Sequence, residues 1–132
     1  MKYLIILTLF LYSSHSWSVS NFYDNALKNY NETKYKTAIK YLEKEIVFNP
    51  KSSESFVLLG KSYEKIDDLI TANKYYNIAF TLLPHSLELN FLLGKTAYNL
   101  GNIESYAEFI SNLEILCDKD CEEIDNLKLL AE

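Results

Sequence analysis

Two cysteines near the end of the chain are the residues whose type and spacing most readily suggest chemistry. Cys117 and Cys121 flank three residues, two of them aspartates. A metal site of the structural zinc type needs about four ligands, and His85 is the only histidine beyond residue 18. C-x-x-x-C is not the usual redox spacing, and neighbouring carboxylates disfavour the thiolate. An even cysteine count favours a structural disulfide between Cys117 and Cys121 in an exported protein, and the first eighteen residues indicate export. A redox-active pair and a metal pair are the alternatives.

Other groupings typical of catalysis are missing from the sequence. There is no G-x-S-x-G, H-E-x-x-H, phosphate loop or dinucleotide fingerprint. His85 follows Pro84 in a predicted turn, with no nucleophile singled out beside it. Carboxylates are abundant, but no opposed pair stands out as a glycosidase would require. The sequence therefore predicts a protein that is not an enzyme, with no catalytic residue, no metal and no cofactor.

The first eighteen residues have the pattern of a secretory signal peptide. Lys2 precedes an apolar run from Leu4 to Tyr12, and a serine-rich stretch follows. The run is shorter than the roughly 20 residues that span a bilayer. We expect cleavage after Ser16 or Ser18, with an uncleaved anchor as the alternative. The predicted domains are therefore a signal peptide over 1–18 and a mature domain over 19–132. The expected location is a bacterial periplasm, or else secretion from the cell.

The mature chain is acidic, because twelve basic residues remain against 18 acidic ones. An acidic protein without a basic stripe is a poor candidate for binding nucleic acid or an anionic membrane surface. No second apolar segment approaches the length of a membrane span. The composition thus favours a protein or peptide partner.

Residue types recur every 34 positions through the mature chain. Pro50 and Pro84 keep this step, as do Gly60 and Gly94. Apolar spacing within each unit is helical, and proline ends the second helix of a unit. The sequence predicts helices near residues 20–31, 34–48, 53–65, 68–82, 87–99 and 102–116. An irregular helical bundle with accidental periodicity is the alternative.

Gly60 and Gly94 need a packing explanation. Glycine inside a helix costs about 1 kcal/mol relative to alanine. Each glycine follows two leucines and precedes a lysine, in the repeated tetrad Leu-Leu-Gly-Lys. We expect the two glycines to face a neighbouring helix that approaches closely, and Lys61 and Lys95 to point to the other side.

The middle unit resembles the tetratricopeptide repeat. It carries an aromatic residue, Leu-Gly and Tyr on its first helix, then Ala, an aromatic, Ala and a closing Pro: Phe56, Leu59, Gly60, Tyr63, Ala72, Tyr76, Ala79 and Pro84. The resemblance implies an all-α, right-handed α-solenoid of three helix–turn–helix repeats, near residues 19–52, 53–86 and 87–118. The outer repeats depart from the pattern at Asn25, Asn29, Glu45, Asn90, Tyr106 and Asp118.

A last helix near residues 121–131 is predicted to cap the solenoid. Ile124, Leu127 and Leu130 form an apolar stripe that would cover the third repeat. Asp120 and Glu123 have the spacing of a capping box.

In this family the first helices of the repeats line a groove that holds a peptide or protein segment. The resemblance places these residues in the partner-binding groove: Tyr23, Leu27, Tyr30, Val57, Lys61, Glu64, Phe91, Lys95 and Tyr98, with Asn31, Glu54, Lys65, Glu88 and Asn99 on the same inner wall. Four of the nine are aromatic residues off the packing stripes, and aromatics are enriched at binding surfaces. The alternative is that these rings merely cover the helices beneath them.

One ligand class of the family does not fit this chain. Carboxylate-clamp repeats hold the acidic C-termini of chaperones with Lys, Asn and Arg. The matching positions here are Tyr23, Leu27, Leu58, Glu88 and Leu92, so we reject that ligand class.

Three functional hypotheses follow. The favoured one is a protein–protein interaction module, an adaptor or assembly factor of the cell envelope. The second is a thiol-dependent assembly factor that uses Cys117 and Cys121. The third is a structural module that forms homo-oligomers through its outer helices.

Overall fold

The chain folds into helices joined by short turns. The structure, a computed structural model, describes residues 21–117 and 121–132, and these ranges contain no β-strand. The helices are α1 Phe22–Asn31, α2 Tyr35–Phe48, α3 Ser53–Glu64, α4 Leu69–Leu82, α5 Leu87–Asn99, α6 Ile103–Leu116 and α7 Glu122–Lys128, followed by a 3-10 turn over Leu129–Ala131. Helices pack in pairs, α1 on α2, α3 on α4 and α5 on α6, and the pairs stack through α2 on α3 and α4 on α5. The predicted all-α solenoid of helical hairpins is confirmed.

The first six helices begin and end within two residues of their predicted positions. The last helix is shorter than predicted, because its α-helical part stops at Lys128 and a 3-10 turn follows. The predicted signal peptide and the two aspartates of the predicted C-terminal turn, Asp118 and Asp120, lie outside the described residues. Cys121 immediately precedes α7, and its side chain makes no capping bond.

The turn inside each repeat uses a left-handed residue at the same repeat position. Thr33, Asp67 and Gly101 have φ of 60°, 63° and 74°. The next residue donates its backbone N–H to a carbonyl five positions back: Lys34 to Asn29 at 2.8 Å, Asp68 to Tyr63 at 3.0 Å and Asn102 to Ala97 at 2.9 Å. This is a Schellman motif. Only Gly101 adopts the conformation without the steric cost that a Cβ brings.

The residue after each left-handed position also begins the second helix. The side chain of Asp68 accepts from the backbone N–H of Thr71 at 3.0 Å, and that of Asn102 accepts from Ser105 at 3.1 Å. The equivalent residue of the first repeat, Lys34, makes no side-chain cap. An N-cap of this kind contributes about 1 kcal/mol, so the first repeat lacks a stabilising contact that the other two have.

Helix α3 approaches α4 so closely that only glycine fits at position 60. A Cβ built on Gly60 would overlap the ring of Tyr76, with Cζ at 2.9 Å and two further ring carbons nearer still. Tyr76 is fully buried. In the third repeat, a Cβ on Gly94 would lie 2.6 Å from Leu127 of α7 and 3.2 Å from Phe109 of α6. Both glycines face a neighbouring helix, as the tetrad predicted.

In the first repeat a smaller side chain on the second helix leaves room for a Cβ on the first helix. Ala26 and Leu42 stand 34 residues before Gly60 and Tyr76, and both are fully buried. Where the second helix presents Leu instead of Tyr, the first helix can therefore carry the methyl group of alanine.

The outer face of the first repeat is polar. Asn25 is exposed and Asn29 is half-buried, and their amides donate to backbone carbonyls one turn earlier at 2.8 and 2.7 Å. The equivalent residues of the second repeat, Leu59 and Tyr63, belong to the apolar core or pack against it. The departures at Asn25 and Asn29 thus mark a solenoid end.

Helix α7 covers the third repeat. Ile124 and Leu127 are buried against the cluster that contains Ala97 and Leu113. Tyr106 donates its hydroxyl to the carbonyl of Leu127 at 3.0 Å. Tyrosine replaces the small residue expected at position 106 because it tethers the capping helix.

We expect Gly60→Ala to lower the free energy of unfolding by about 1–3 kcal/mol, the usual cost of overpacking, although alanine is the better helix former by about 1 kcal/mol. In a Tyr76→Leu background the pair becomes the Ala–Leu combination of the first repeat, so Gly60→Ala should cost clearly less there. Urea unfolding of the four proteins measures both costs. An equal cost in the two backgrounds would contradict the packing explanation.

Candidate functional site

A cleft of about 420 Å³ opens between helices α1, α3 and α5. Its lining is mostly apolar and aromatic, with a few charged and hydroxyl groups: Tyr23, Leu27, Tyr30, Asn31, Ser53, Glu54, Val57, Leu58, Lys61, Leu83, Ser86, Glu88 and Leu89. A cavity of this volume accommodates several side chains of a bound segment.

Five of the nine predicted groove residues line this cleft, namely Tyr23, Leu27, Tyr30, Val57 and Lys61. Of the other residues expected on the same wall, Asn31, Glu54 and Glu88 line it as well, whereas Lys65 and Asn99 do not. Reasoning from helix faces missed five lining residues, Ser53, Leu58, Leu83, Ser86 and Leu89. Ser53, Leu58 and Leu89 are buried, and Leu83 and Ser86 come from the junction between α4 and α5. Ser52 and Ser86, 34 residues apart, are the N-caps of α3 and α5. This repeat of capping serines is the sequence signal that could have identified the junction.

The other four predicted residues lie outside the cleft lining and contact one another or the core. Lys95 Nζ binds Glu64 Oε1 at 2.6 Å and lies 6.0 Å from the ring centroid of Phe91. Tyr98 packs against the ring of Tyr106, with centroids 5.3 Å apart. Their contribution to a binding surface therefore stays a prediction.

The two lysines of the repeated tetrad pair with carboxylates across the α3–α5 boundary. Lys61 Nζ of α3 binds Glu88 Oε1 of α5 at 2.5 Å. In the second pair the lysine is on α5 and the glutamate on α3, since Lys95 binds Glu64. Partly exposed pairs contribute at most about 1 kcal/mol each. A partner that used either ammonium group would first have to displace a carboxylate of this chain.

Tyrosines supply neutral hydroxyl groups to the cleft. Burial raises the pKa of Tyr23, and the carboxylate of Glu54 raises it further. Burial also raises the pKa of Tyr30. Both hydroxyls are therefore protonated at neutral pH, and each can donate a hydrogen bond to a carbonyl of a bound segment.

Glu64 connects the ion pair to the packing core. Its Oε2 accepts a hydrogen bond from the hydroxyl of Tyr76 at 2.9 Å, while Oε1 accepts from Lys95. Burial, followed by the carboxylate of Glu64, raises the pKa of Tyr76 far above its ordinary value of 10.0. Tyr76 is therefore a neutral donor, held in place by the ring contact with Gly60 and by this hydrogen bond.

Cys117 and Cys121 lie at disulfide-bonding distance, with their Cα atoms 5.7 Å apart. Both pack against the apolar cluster beneath α7. Glu123 lies beside them, its carboxylate within 4.8 Å of the sulfurs. Among the described residues, these three donors fall short of the four that a structural zinc site uses.

The helices of the described part of the chain are all too short or too polar to cross a membrane.

Comparison with solved structures identifies the class of fold. The first tetratricopeptide domain of Spaghetti (RPAP3), bound to the HSP90 peptide SRMEEVD, superposes with a TM-score of 0.74 at 16% identity, covering 83% of this chain and 87% of that one. The Yersinia enterocolitica type III secretion chaperone SycD, in complex with a peptide of the translocator YopD, gives a TM-score of 0.71 at 17% identity, covering 84% and 92%.

A third structure, PcrH in complex with the chaperone-binding region of PopD, gives a TM-score of 0.70 at 12% identity over 84% of this chain and 91% of that one. No protein-family model and no curated protein matches the sequence. At these identities the likeness shows the fold alone: the chain adopts the tetratricopeptide-repeat fold.

The buried hydroxyl of Tyr76 predicts a specific pH dependence of stability. Because the folded state keeps Tyr76 protonated, the stability that depends on it is complete below pH 10 and is lost as the unfolded chain ionises above that pH. Tyr76→Phe should therefore cost about 1 kcal/mol at pH 8. That difference should shrink by about 1.4 kcal/mol for each pH unit above 10.

Denaturant unfolding of both proteins between pH 8 and 11 measures the difference. Tyr41→Phe, at a partly buried tyrosine of α2, serves as the control. A difference that stays constant over this range would contradict the pKa assigned to Tyr76.

Proposed function

We propose that the chain is an exported protein–protein interaction module whose cleft holds a peptide or helix of a partner protein. The observation that carries this proposal is the 420 Å³ cleft between α1, α3 and α5. The predicted signal peptide supports a place in the cell envelope, with the bacterial periplasm as the compartment. Its role there is that of an adaptor or assembly factor.

The composition of the cleft suits a protein segment. Leu27, Val57 and Leu83 offer apolar surface, and burying such surface contributes about 25 cal/mol per Å². Tyr23 and Tyr30 add broad rings with a hydrogen-bonding end, and tyrosine is one of the residues enriched at binding hot spots. Spaghetti, SycD and PcrH, which share the fold, each hold a peptide or protein segment.

A single charge placed in the cleft should abolish partner binding. Val57→Asp puts a carboxylate on the apolar lining, while Ile70→Asp makes the same kind of change at a 76% exposed residue of α4 outside the cleft. We expect Val57→Asp to lose partner binding and Ile70→Asp to retain it.

Quantitative crosslinking in periplasmic extract, with tagged wild type and both variants, measures this, and thermal unfolding checks that each variant is folded. If folded Val57→Asp protein captures the same partners in the same yield as wild type, the cleft is not the binding site.

A second role, disulfide exchange with a client, is favoured only by the closeness of Cys117 and Cys121. We propose instead that the pair forms a structural disulfide that pins α7 to α6. Both cysteines pack against apolar side chains that α7 covers, so bonding them restrains the capping helix.

Cys117→Ser/Cys121→Ser should therefore lower the free energy of unfolding by about 2 kcal/mol, the chain-entropy value for so short a loop. Reduced wild-type protein should have the same free energy of unfolding as this variant. In unreduced wild-type protein the cysteines should resist thiol alkylation, which mass spectrometry measures. Trapping with Cys121→Ser in cells should yield no mixed disulfide. A reproducible trapped client would instead establish the exchange role.

A further inference from the structure

The α1–α3 and α3–α5 boundaries carry equivalent glutamates, but only the glutamate at the α3–α5 boundary is paired with a lysine of the described ranges. Between α3 and α5, Lys61 binds Glu88. Between α1 and α3, the equivalent of Glu88 is Glu54 and the equivalent of Lys61 is Leu27, each 34 residues earlier. Glu54 therefore has no lysine from α1, and no ion pair to it occurs among residues 21–117 and 121–132.

Glu54 lies in the lining of the cleft, next to apolar and aromatic groups. The residue is exposed, and its Oε2 accepts a hydrogen bond from the Ser52 hydroxyl at 3.4 Å. Its negative charge is therefore available to a cation of a bound segment. The cleft thus combines an apolar lining with one carboxylate that no cation of the described chain neutralises.

The hydroxyl of Tyr23 reports the sign of the potential at this end of the cleft. After burial, the carboxylate of Glu54 is the largest influence on the pKa of Tyr23, and Asp24 and Glu88 act in the same direction. Lys61 acts in the opposite direction. Three carboxylates against one ammonium group make the local potential negative.

We propose that the segment held in the cleft carries a basic side chain that pairs with Glu54, beside apolar side chains that pack on Leu27 and Val57. This inference rests on the proposed function of the cleft. Arginine fits best, because its planar fork matches a carboxylate and stacks on an aromatic ring such as Tyr23. Lysine satisfies the charge with less geometric restriction.

The same charges disfavour a partner with an acidic end. A peptide such as SRMEEVD, which the Spaghetti domain holds, would bring carboxylates towards Glu54 and Glu88. Lys61 is the one lysine among the described residues that line the cleft, and its ammonium group is already bound to Glu88.

Selection from a random 12-residue peptide display library on the purified domain tests the inference. Peptides whose capture Val57→Asp abolishes should be enriched in apolar residues together with Arg or Lys. Glu54→Gln should weaken such a peptide about two- to fivefold, since a pair with an exposed carboxylate contributes up to about 1 kcal/mol. SRMEEVD should not compete.

Two further variants sharpen the comparison. Leu27→Lys supplies the cation that the first repeat lacks, so it should leave the domain folded and weaken the basic peptides at least as much as Glu54→Gln does. Glu104→Gln removes the same charge at an exposed residue of α6 outside the cleft and should leave affinity unchanged. Anisotropy titrations with one labelled peptide measure all of these affinities.

The outcomes separate the two proposals. Selected peptides that need Val57 but are neutral or acidic, or that ignore Glu54→Gln, would overturn the basic-partner inference and leave the cleft as the binding site. Peptides that ignore Val57→Asp and Glu54→Gln alike, or a selection that enriches nothing on folded protein, would overturn both.

Discussion

The close approach of the two helices in each repeat is the contact on which the rest of the molecule depends. In the second repeat it is the contact between Gly60 and the buried ring of Tyr76. In the first repeat, Ala26 and Leu42 occupy the same positions, and in the third the capping helix brings Leu127 against Gly94. Packing density in protein interiors leaves little room for adjustment, so the size of one side chain fixes the size of its partner.

This packing contact also connects to charged groups of α3 and α5. The hydroxyl of Tyr76 reaches Glu64, and Glu64 in turn holds Lys95 of the next repeat. A hydrophobic contact within one repeat is thus continuous with an ion pair between repeats. The cleft extends from this boundary to α1. There Leu27 occupies the position equivalent to Lys61, and Glu54 makes no ion pair with a described residue.

The helical hairpins could be predicted from the sequence because they depend on local signals. Prolines, glycines and apolar residues recur every 34 positions, and the helix ends follow from them. The two ion pairs between α3 and α5 could not be predicted in this way, since they join residues 27 and 31 apart on helices of different repeats. Whether two such side chains meet depends on how the repeats stack. For the same reason, only the part of the predicted groove nearest α1 coincides with the cleft.

Some departures from the repeat pattern acquire a physical reason only in the structure. Asn90 stands where an aromatic is expected; it is fully buried, and its amide donates to the carbonyls of Ser86 at 2.9 Å and Pro84 at 3.3 Å. Tyr106 replaces a small residue because its hydroxyl holds α7. From sequence these positions look like weakened repeats, yet each has a bond that the middle repeat lacks.

The left-handed turn of the first repeat affects the order in which the helices unfold. Thr33 is β-branched at a positive φ, Lys34 provides no cap, and α1 carries the polar residues Asn25 and Asn29 at the positions of Leu59 and Tyr63. In a solenoid whose repeats are stabilised by their neighbours, fraying starts at such an end, so backbone amides of α1 exchange before those of α3. Helix α1 is also one wall of the cleft. An occupant of the cleft would therefore slow the first step of unfolding, and ligand binding and local order would be coupled in the same helix.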